Sequence, residues 1–168
     1  ISQAGYLDYG FLGAAQIDPY GNINTTVIGP HDHPQARLPG SGGANDVGSF
    51  SHRTIIIMRQ DRRKFVEHLD FLTTPGYLTG PGARERAGLP ANSGPFRVIT
   101  QLGVYGFDPD SYRMRLLALH PEVSRDDVQA NSSFAIPVAE DLTISPAPTE
   151  SERRLLRELD PEGMLIGR

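Results

Sequence analysis

A glycine-rich segment is the part of the chain best suited to hold a developing negative charge. Residues 39–44 read Pro-Gly-Ser-Gly-Gly-Ala and are followed by Asn45 and Asp46, which are residues that cap helices. Glycine backbone adopts positive φ and can turn several N–H groups toward one point, forming a small anion-binding concavity. In an acyl-transfer site, such amides stabilise the oxyanion on the attacked carbonyl. On spacing alone, a flexible surface turn is the commoner outcome for this segment.

Three other groups of polar residues are candidates for chemistry. His31 and His33 flank a carboxylate, but two ligands on a loop do not complete a metal site, so we interpret them as loop residues. The basic run at 62–64 is typical of a solvated corner, with phosphate binding as the alternative. Arg84 and Arg86 are candidates for binding a substrate carboxylate or a partner's acids, and a surface position is the competing interpretation.

The composition limits the classes of protein and site that fit. The 168 residues are about one domain, and the net charge of −4 argues against a dedicated nucleic-acid surface. The chain has no cysteine, which excludes disulfides and thiolate sites and fits a cytoplasmic location. The sequence contains no run of eighteen apolar residues, so it predicts no membrane span. The first residue is Ile1, which is compatible with a processed, truncated or partially recorded sequence.

Short strands dominate the predicted elements. Residues 18–21, Asp-Pro-Tyr-Gly, are typical of a type I turn and predict a strand–turn–strand hairpin. The runs expected to form strands are residues 9–17, 22–28, 53–58, 68–74, 96–100, 103–107, 114–120 and 134–138. Pro137 gives the last run the character of an edge strand, because proline cannot donate to a ladder.

Two helices and one long loop complete the prediction. Residues 124–127 and 149–152 have the pattern of capping boxes, and the second predicts a helix over 151–159 with a leucine stripe. Residues 75–95 predict a long loop, and residues 164–166 an apolar tail that needs a surface to cover it. Together these elements predict a mixed α/β fold in a single domain over 1–168.

Three segments together resemble the β subunits of class I CoA-transferases of the glutaconate CoA-transferase type. They are Gly-Ala-Ala-Gln-Ile-Asp-Pro-Tyr-Gly-Asn-Ile-Asn-Thr-Thr at 13–26, Pro-Gly-Ser-Gly-Gly-Ala-Asn-Asp at 39–46, and Leu-Asp-Phe-Leu-Thr-Thr-Pro-Gly at 69–76. The stretch at 80–90 also matches, and the resemblance extends from about residue 12 to about residue 161.

The resemblance implies an open α/β subunit with a mixed sheet that pairs with an α subunit in a heterotetramer or larger assembly. CoA and acyl-CoA are then substrates, with no permanently bound cofactor. A glutamate of the β subunit attacks the thioester, and the exchange passes through anhydride and glutamyl-CoA intermediates.

The resemblance also implies site residues. The glycine loop would supply amide donors from Gly42, Gly43 and Ala44, with Gly40 and Ser41 shaping it, and Asn45 completes the candidate substrate- and oxyanion-binding set. The polar side chains expected beside the pocket are Gln16, Asn22 and Asn24. Hydrogen bonding within the hairpin is the alternative role of those three side chains.

One departure from the family pattern concerns the nucleophile. Its position precedes the hairpin, and none of the eleven residues ahead of Leu12 is a glutamate. Glu67, Glu85 and Glu122 lie in unrelated segments, so we expect no catalytic residue in this chain and interpret it as the C-terminal part of a β subunit. Alternatives on the same frame are a ring-opening hydrolase or a decarboxylase of acyl-CoA substrates, and a non-catalytic structural subunit.

Overall fold

A six-stranded sheet forms the centre of the fold in a computed structural model that describes residues 2–164. After a short 3-10 helix at Ser2–Ala4, the strands and helices follow in the order β1 Tyr9–Leu12, β2 Gln16–Ile17, β3 Ile23–Asn24, β4 Val27–Ile28, β5 Ala36–Arg37, α1 Ala44–Phe50, β6 Arg53–Ile57, α2 Ala83–Arg86, β7 Gly94–Ile99, β8 Gly103–Phe107, β9 Met114–Leu119, α3 Arg125–Ala130, β10 Val138–Ile144 and α4 Glu150–Leu159.

The sheet mixes parallel and antiparallel pairs. Its order is β1-β6-β7-β8-β9-β10, in which β1, β6 and β7 run parallel and β10 runs parallel to β9. β8 is antiparallel to both of its neighbours, and β8 and β9 confirm the strands predicted at 103–107 and 114–120. The pairs β2-β3 and β4-β5 form two further small sheets. The predicted mixed α/β class is confirmed.

The core lies on one face of the sheet. There, side chains such as Ile56, Val98 and Tyr105 pack with Phe65 and Phe134 from the connecting segments. The strand register places Tyr9 and Phe11 on the opposite face beside Arg53 and Ile55. On that face, Phe11 is 65% and Ile57 53% exposed. Parallel strands usually have both faces covered, so this face is unusually bare.

The hairpin prediction is confirmed, but the strands predicted at 9–17 and 22–28 are both wrong as single elements. The run at 22–28 is divided into β3, which pairs with β2, and β4, which pairs with β5. β2 and β3 pair antiparallel across the predicted turn at 18–21. The run at 9–17 is divided, because the chain leaves the sheet after Leu12 and the Ala15 amide turns to donate to the Asn24 carbonyl at 3.0 Å. β1 therefore belongs to the large sheet and β2 to the hairpin.

Two further strand predictions are wrong for reasons of side-chain chemistry. Residues 68–74 form only an isolated bridge at Thr74, because Asp70 and Thr73 use their side chains to bond the hairpin. Residues 134–138 contribute only their last member to β10. The Ile136 amide donates to Gln129 Oε1 at 3.1 Å and Pro137 has no N–H, so neither residue can donate to a strand ladder.

The two capping boxes are confirmed, whereas the cap predicted for the glycine segment is wrong. The side chains of Ser124 and Thr149 each accept from the backbone amide three residues later. The acidic side chain at that later position in turn accepts from the backbone amide of the cap residue. α1 begins after Gly43 with no side-chain cap, and Asn45 and Asp46 lie inside it.

The loop predicted at 75–95 contains the short helix α2 and gives way to β7 at Gly94. Of the apolar tail predicted at 164–166, Met164 is exposed and the other two residues lie outside the described part of the chain. Within residues 2–164, no helix has the length and apolar character needed to cross a membrane.

Candidate functional site

The glycine loop is held against the β3–β4 segment by backbone bonds. The Gly40 amide donates to the Thr25 carbonyl at 2.9 Å, and the Thr25 hydroxyl donates to the Gly40 carbonyl at 2.9 Å. Gly40 has φ of 88° and Gly42 φ of 48°, in the left-handed region that favours glycine. Glycine is therefore favoured at positions 40 and 42 because of the backbone conformation of the loop.

Two backbone N–H groups of this loop have no protein partner within the described residues. Within residues 2–164, the Gly42 and Gly43 amides donate to no protein group, and both residues are exposed. The Ala44 amide, also a predicted donor, instead donates to the Ser41 carbonyl at 2.9 Å. The Asn45 amide donates to Ser41 Oγ at 3.2 Å. Of the three amide donors predicted from the sequence, those of Gly42, Gly43 and Ala44, only the first two are unbonded within the described residues.

The loop borders an open groove of about 470 Å³. Its residues Leu38 to Ser41 and Ala44 form one wall, and Ala14, Ala15 and Thr25 form the other. Because Ala14 and Ala15 follow β1, the groove lies at the carboxyl end of a parallel strand, where open α/β sheets bind ligands. Gly42 and Gly43 do not line the groove themselves but lie in the chain between the lining residues Ser41 and Ala44.

Lys64 also lines the groove, a role that the sequence reasoning missed. Its ammonium is 3.6 Å from Asp61 Oδ2, and its side chain is 36% exposed. Lys64 is the chain's one lysine among fifteen arginines. That rarity was visible in the sequence, but nothing in the basic run at 62–64 indicated that only its last member faces a groove.

Gln16 and Asn24 lie behind the groove as a hydrogen-bonded pair. Asn24 is fully buried, and its Nδ2 donates to Gln16 Oε1 at 2.7 Å and to the Val27 carbonyl at 2.6 Å. Gln16 Nε2 donates to Asp70 Oδ2 at 2.9 Å, and the Asp70 amide donates back to Gln16 Oε1 at 3.1 Å. Both side chains therefore support the hairpin from within.

Asn22 serves the turn of the hairpin and the segment after Thr74. Its Nδ2 donates to Asp18 Oδ2 at 2.7 Å and to the Leu78 carbonyl at 2.8 Å, while its Oδ1 accepts from Gly76 and Leu78 amides. Burial raises the pKa of Asp18 to about 6, although its hydrogen bonds from Asn22 and Tyr20 act in the opposite direction.

The two candidate arginines of α2 occupy opposite environments, and for Arg84 the interpretation as a surface residue is wrong. Arg84 is only 3% exposed, and burial lowers its pKa. It donates to the carbonyls of Gly76, Gly48 and Ser49 at 2.8–3.2 Å and to Ser93 Oγ at 2.9 Å. Arg86 is exposed and reaches only the Pro81 carbonyl at 3.4 Å.

The two loop histidines lie on an exposed segment away from any cluster of ligands. His31 Nδ1 is 3.5 Å from Asp32 Oδ1, and its ring stacks on Phe71 with centroids 5.4 Å apart. Across the described ranges, no group of three or more histidine, aspartate or glutamate side chains is placed to hold a metal ion.

Comparison with known proteins adds sequence and structural similarity to this geometry. A family model described as Coenzyme A transferase matches residues 1–131. The chain is 45% identical to the B subunit of glutaconate CoA-transferase from Acidaminococcus fermentans over 152 residues, which are 90% of this chain and 56% of the relative. It is 43% identical to the B subunit of 3-oxoadipate CoA-transferase from Pseudomonas knackmussii, covering 94% of this chain and 60% of the relative.

The similarity to solved structures extends over almost the whole chain. The crystal structure of the Acidaminococcus fermentans glutaconate CoA-transferase matches with a TM-score of 0.89 at 42% identity, covering 95% of this chain and 61% of that one. A decarboxylase, AibA/AibB, matches with a TM-score of 0.79 at 28% identity, covering 97% and 61%. The chain thus spans between half and two thirds of the length of these relatives.

Proposed function

Because the chain belongs to the coenzyme A transferase family, we propose that it is part of a subunit that moves CoA between an acyl-CoA and a carboxylic acid. The glutaconate and 3-oxoadipate transferases named above support a dicarboxylic acid as one of the partners in the exchange. CoA and acyl-CoA then act as substrates and not as bound cofactors. The cytoplasmic location expected from the cysteine-free composition stays a prediction.

The observation that carries this proposal is that the Gly42 and Gly43 amides are unbonded and lie in the chain between the groove-lining residues Ser41 and Ala44. When a carboxylate attacks a thioester, negative charge develops on the thioester oxygen. Preorganised N–H donors at that oxygen stabilise the transition state without reorganising, and losing one such donor typically costs on the order of 100- to 1000-fold in rate. Because the Gly42 and Gly43 amides have no protein partner, no existing hydrogen bond has to break before they donate to the thioester oxygen.

The proposed exchange is a sequence of balanced substitutions at carbonyl carbons. The attacking glutamate carboxylate, which we place outside these 168 residues, displaces CoA thiolate from the acyl-CoA and forms an acyl-glutamyl anhydride. The thiolate then attacks the glutamyl carbonyl, which gives glutamyl-CoA thioester and releases the acyl carboxylate. The acceptor acid reverses these two steps, so that it leaves as the new acyl-CoA and the glutamate is regenerated.

The walls of the groove suit these intermediates. Ala14, Ala15, Leu38 and Pro39 supply apolar surface against which the hydrocarbon part of an acyl group can pack. Lys64 adds one cation to the wall, and we propose that it attracts an anionic group of the acyl-CoA or of the acid. Gln16, Asn22 and Asn24 act as positioning residues that hold the hairpin beside the groove.

The alternative reactions have weaker support. A cholesterol ring-cleaving hydrolase subunit of Rhodococcus jostii is 32% identical to the chain, covering 91% of it and 60% of the relative. The decarboxylase structure is 28% identical. Both values lie below the identities to the two transferase subunits, so CoA transfer is the better-supported function.

We also propose that activity requires an assembly. The two transferase relatives are named as the B subunits of their enzymes, which supports an α-type partner for this chain. The bare face of the sheet, with Phe11 and Ile57 exposed, supports the presence of further polypeptide against it in the active enzyme. The interpretation of residues 1–168 as the C-terminal part of a β subunit remains part of this proposal.

A trapping experiment tests the reaction class. The chain is assembled with its partner subunit and the glutamate-bearing polypeptide, incubated with glutaryl-CoA, and treated with borohydride or hydroxylamine. We expect one covalently modified glutamate, located by peptide mass spectrometry outside the present 168 residues. Consumption of acyl-CoA by a competent complex with no trapped adduct would remove the transferase proposal in favour of hydrolysis or decarboxylation.

A further inference from the structure

A second cavity lies at the opposite end of α1 from the glycine loop. It has a volume of about 280 Å³, and its lining includes Arg53, Tyr77, Arg84, Asn92, Ser93 and Tyr112. Arg84 donates to the carbonyls of Gly48 and Ser49 in the last turn of α1, whereas the groove beside the glycine loop borders the first turn of α1 at Ala44. A helix of seven residues is about 10 Å long, so the two sites are separate.

The charges around this cavity do not balance. Arg84 is buried and donates only to carbonyl and hydroxyl oxygens, and its Nε has no hydrogen-bond partner. Arg53 has no side-chain hydrogen bond or ion pair within the described residues; its guanidinium lies 5.4 Å from the Phe96 ring centroid. Glu85, which is exposed, is the one acidic residue in the lining, so two guanidinium groups face a single carboxylate.

The backbone of the cavity is held in conformations that L-residues rarely adopt. Asn92 has φ of 56° and Tyr112 φ of 59°, and Leu78, next to the lining residue Tyr77, has φ of 57°. Three of the four non-glycine residues with positive φ in residues 2–164 therefore lie in or beside this lining. Such conformations are costly, persist only where surrounding structure imposes them, and concentrate at ligand-binding positions.

We infer that this cavity binds a small oxyanion, a carboxylate or a phosphate group, with Arg53 as its direct ligand. A buried cation is normally paired with an acid, but within residues 2–164 Arg84 forms no ion pair, and the one acid of the lining, Glu85, is exposed. Arg53 presents an unused planar fork, the geometry that suits carboxylate and phosphate. Arg84 contributes through its charge, because its terminal nitrogens are already bonded.

The size of the cavity restricts the ligand. Sites for drug-sized molecules occupy roughly 300–1,000 Å³, so a cavity of 280 Å³ fits a single small anion and not a whole acyl-CoA. The inference does not depend on the proposed function, since it concerns binding by the chain itself and is tested without turnover.

The test is a titration of the 168-residue chain with sodium phosphate and, separately, with sodium glutarate, each compared with sodium chloride at equal ionic strength. Binding is followed by calorimetry and by the rise in Tm. We expect at least one of the two oxyanions to bind saturably at one site, and the two arms distinguish phosphate from carboxylate. Arg53→Gln should weaken that binding at least tenfold, whereas Arg86→Gln, a matched change on the exposed side of α2, should leave it unchanged.

Two results would overturn the inference. One is a wild-type chain that binds neither oxyanion more tightly than chloride, and the other is an Arg53→Gln chain that binds as the wild type does. Should Arg53→Gln fail to fold, Glu85→Gln decides the matter, since it removes the one acidic group of the lining at an exposed position. Several-fold tighter binding by Glu85→Gln supports the site, and unchanged or weaker binding contradicts it.

Discussion

At Gly43, an unbonded amide coincides with space for a side chain. Its φ is −85°, which any residue adopts, and a Cβ added there meets no atom within 4 Å. We expect Gly43→Leu to lower kcat of the assembled enzyme by about 10- to 100-fold, because the added side chain obstructs the approach of a substrate oxygen to the two amides. Its effect on folding should stay near 1 kcal/mol, the cost of losing glycine as an N-cap.

Steady-state kinetics and thermal unfolding of the same samples separate these effects. Gly43→Ala is the matched control, since it changes the cap in the same way but adds only a methyl group. Losses of kcat that follow the losses of stability across the two variants would argue that Gly43 has no part in the site.

Asp18 predicts a pH dependence of stability. Its folded pKa of about 6 lies above the ordinary value of 3.8, so the folded state binds the proton more tightly. The stabilisation from this proton is complete below about pH 4 and is lost as the pH rises through 6. Raising the pKa of Asp18 from 3.8 to about 6 corresponds to at most about 3 kcal/mol of stability.

Urea unfolding between pH 4 and pH 7 measures this contribution. The free energy of unfolding of the wild type should fall with rising pH relative to Asp18→Asn, which cannot ionise there. Asp141→Asn, on an exposed position of β10, should keep the wild-type slope. Parallel curves for wild type and Asp18→Asn would show that burial does not perturb Asp18.

At the scale of elements, the sequence predicted what short-range chemistry determines. The turn at 18–21 and the capping boxes at 124–127 and 149–152 depend on residues within four positions of one another, and all three are present. The run at 68–74 has strand composition, but the side chains of Asp70 and Thr73 accept hydrogen bonds from groups about fifty residues away along the chain. No local pattern contains that information.

The same limit applies to the candidate site. The bend at 39–44 was recognisable from its glycines, whereas the groove beside it requires Ala14 and Lys64 to meet across the fold. The Ala44 amide was expected to be unbonded because the sequence does not show that Ser41 accepts from it. The sequence could not distinguish Arg84 from Arg86, because tertiary packing buries Arg84 and leaves Arg86 exposed.

Arg84 joins three elements, and its replacement should be far more damaging than that of Arg86. Its guanidinium bonds the end of α1, the segment at Gly76 and Ser93 ahead of β7. Arg84→Met removes the donors of these oxygens, each worth about 1 kcal/mol, and we expect a loss of about 3 kcal/mol in the free energy of unfolding.

Denaturant unfolding of Arg84→Met and Arg86→Met gives a matched comparison on one short helix. Arg86 makes only a long bond to the Pro81 carbonyl, so its replacement should cost less than about 0.5 kcal/mol. Equal effects of the two substitutions would mean that the buried charge of Arg84 costs as much as its hydrogen bonds contribute.

For the whole molecule, the decisive feature is that the connecting segments cover one face of the sheet and leave Tyr9, Phe11 and Ile57 exposed on the other. Apolar surface of this kind marks an interface. The chain alone should therefore bind an apolar dye such as ANS and show no CoA transfer, because we place the nucleophile outside it. Assembly into the active complex should abolish the dye signal.

Phe11→Ser should reduce both dye binding and assembly while leaving the Tm nearly unchanged, since the side chain is 65% exposed. Leu72→Ser is the control, because Leu72 is 49% exposed but lies in the segment that wraps the hairpin, away from the bare face. Light scattering gives the size of each species, and an acyl-CoA assay gives its activity. A monomer that binds no dye and transfers CoA unaided would contradict both the interface and the requirement for a partner.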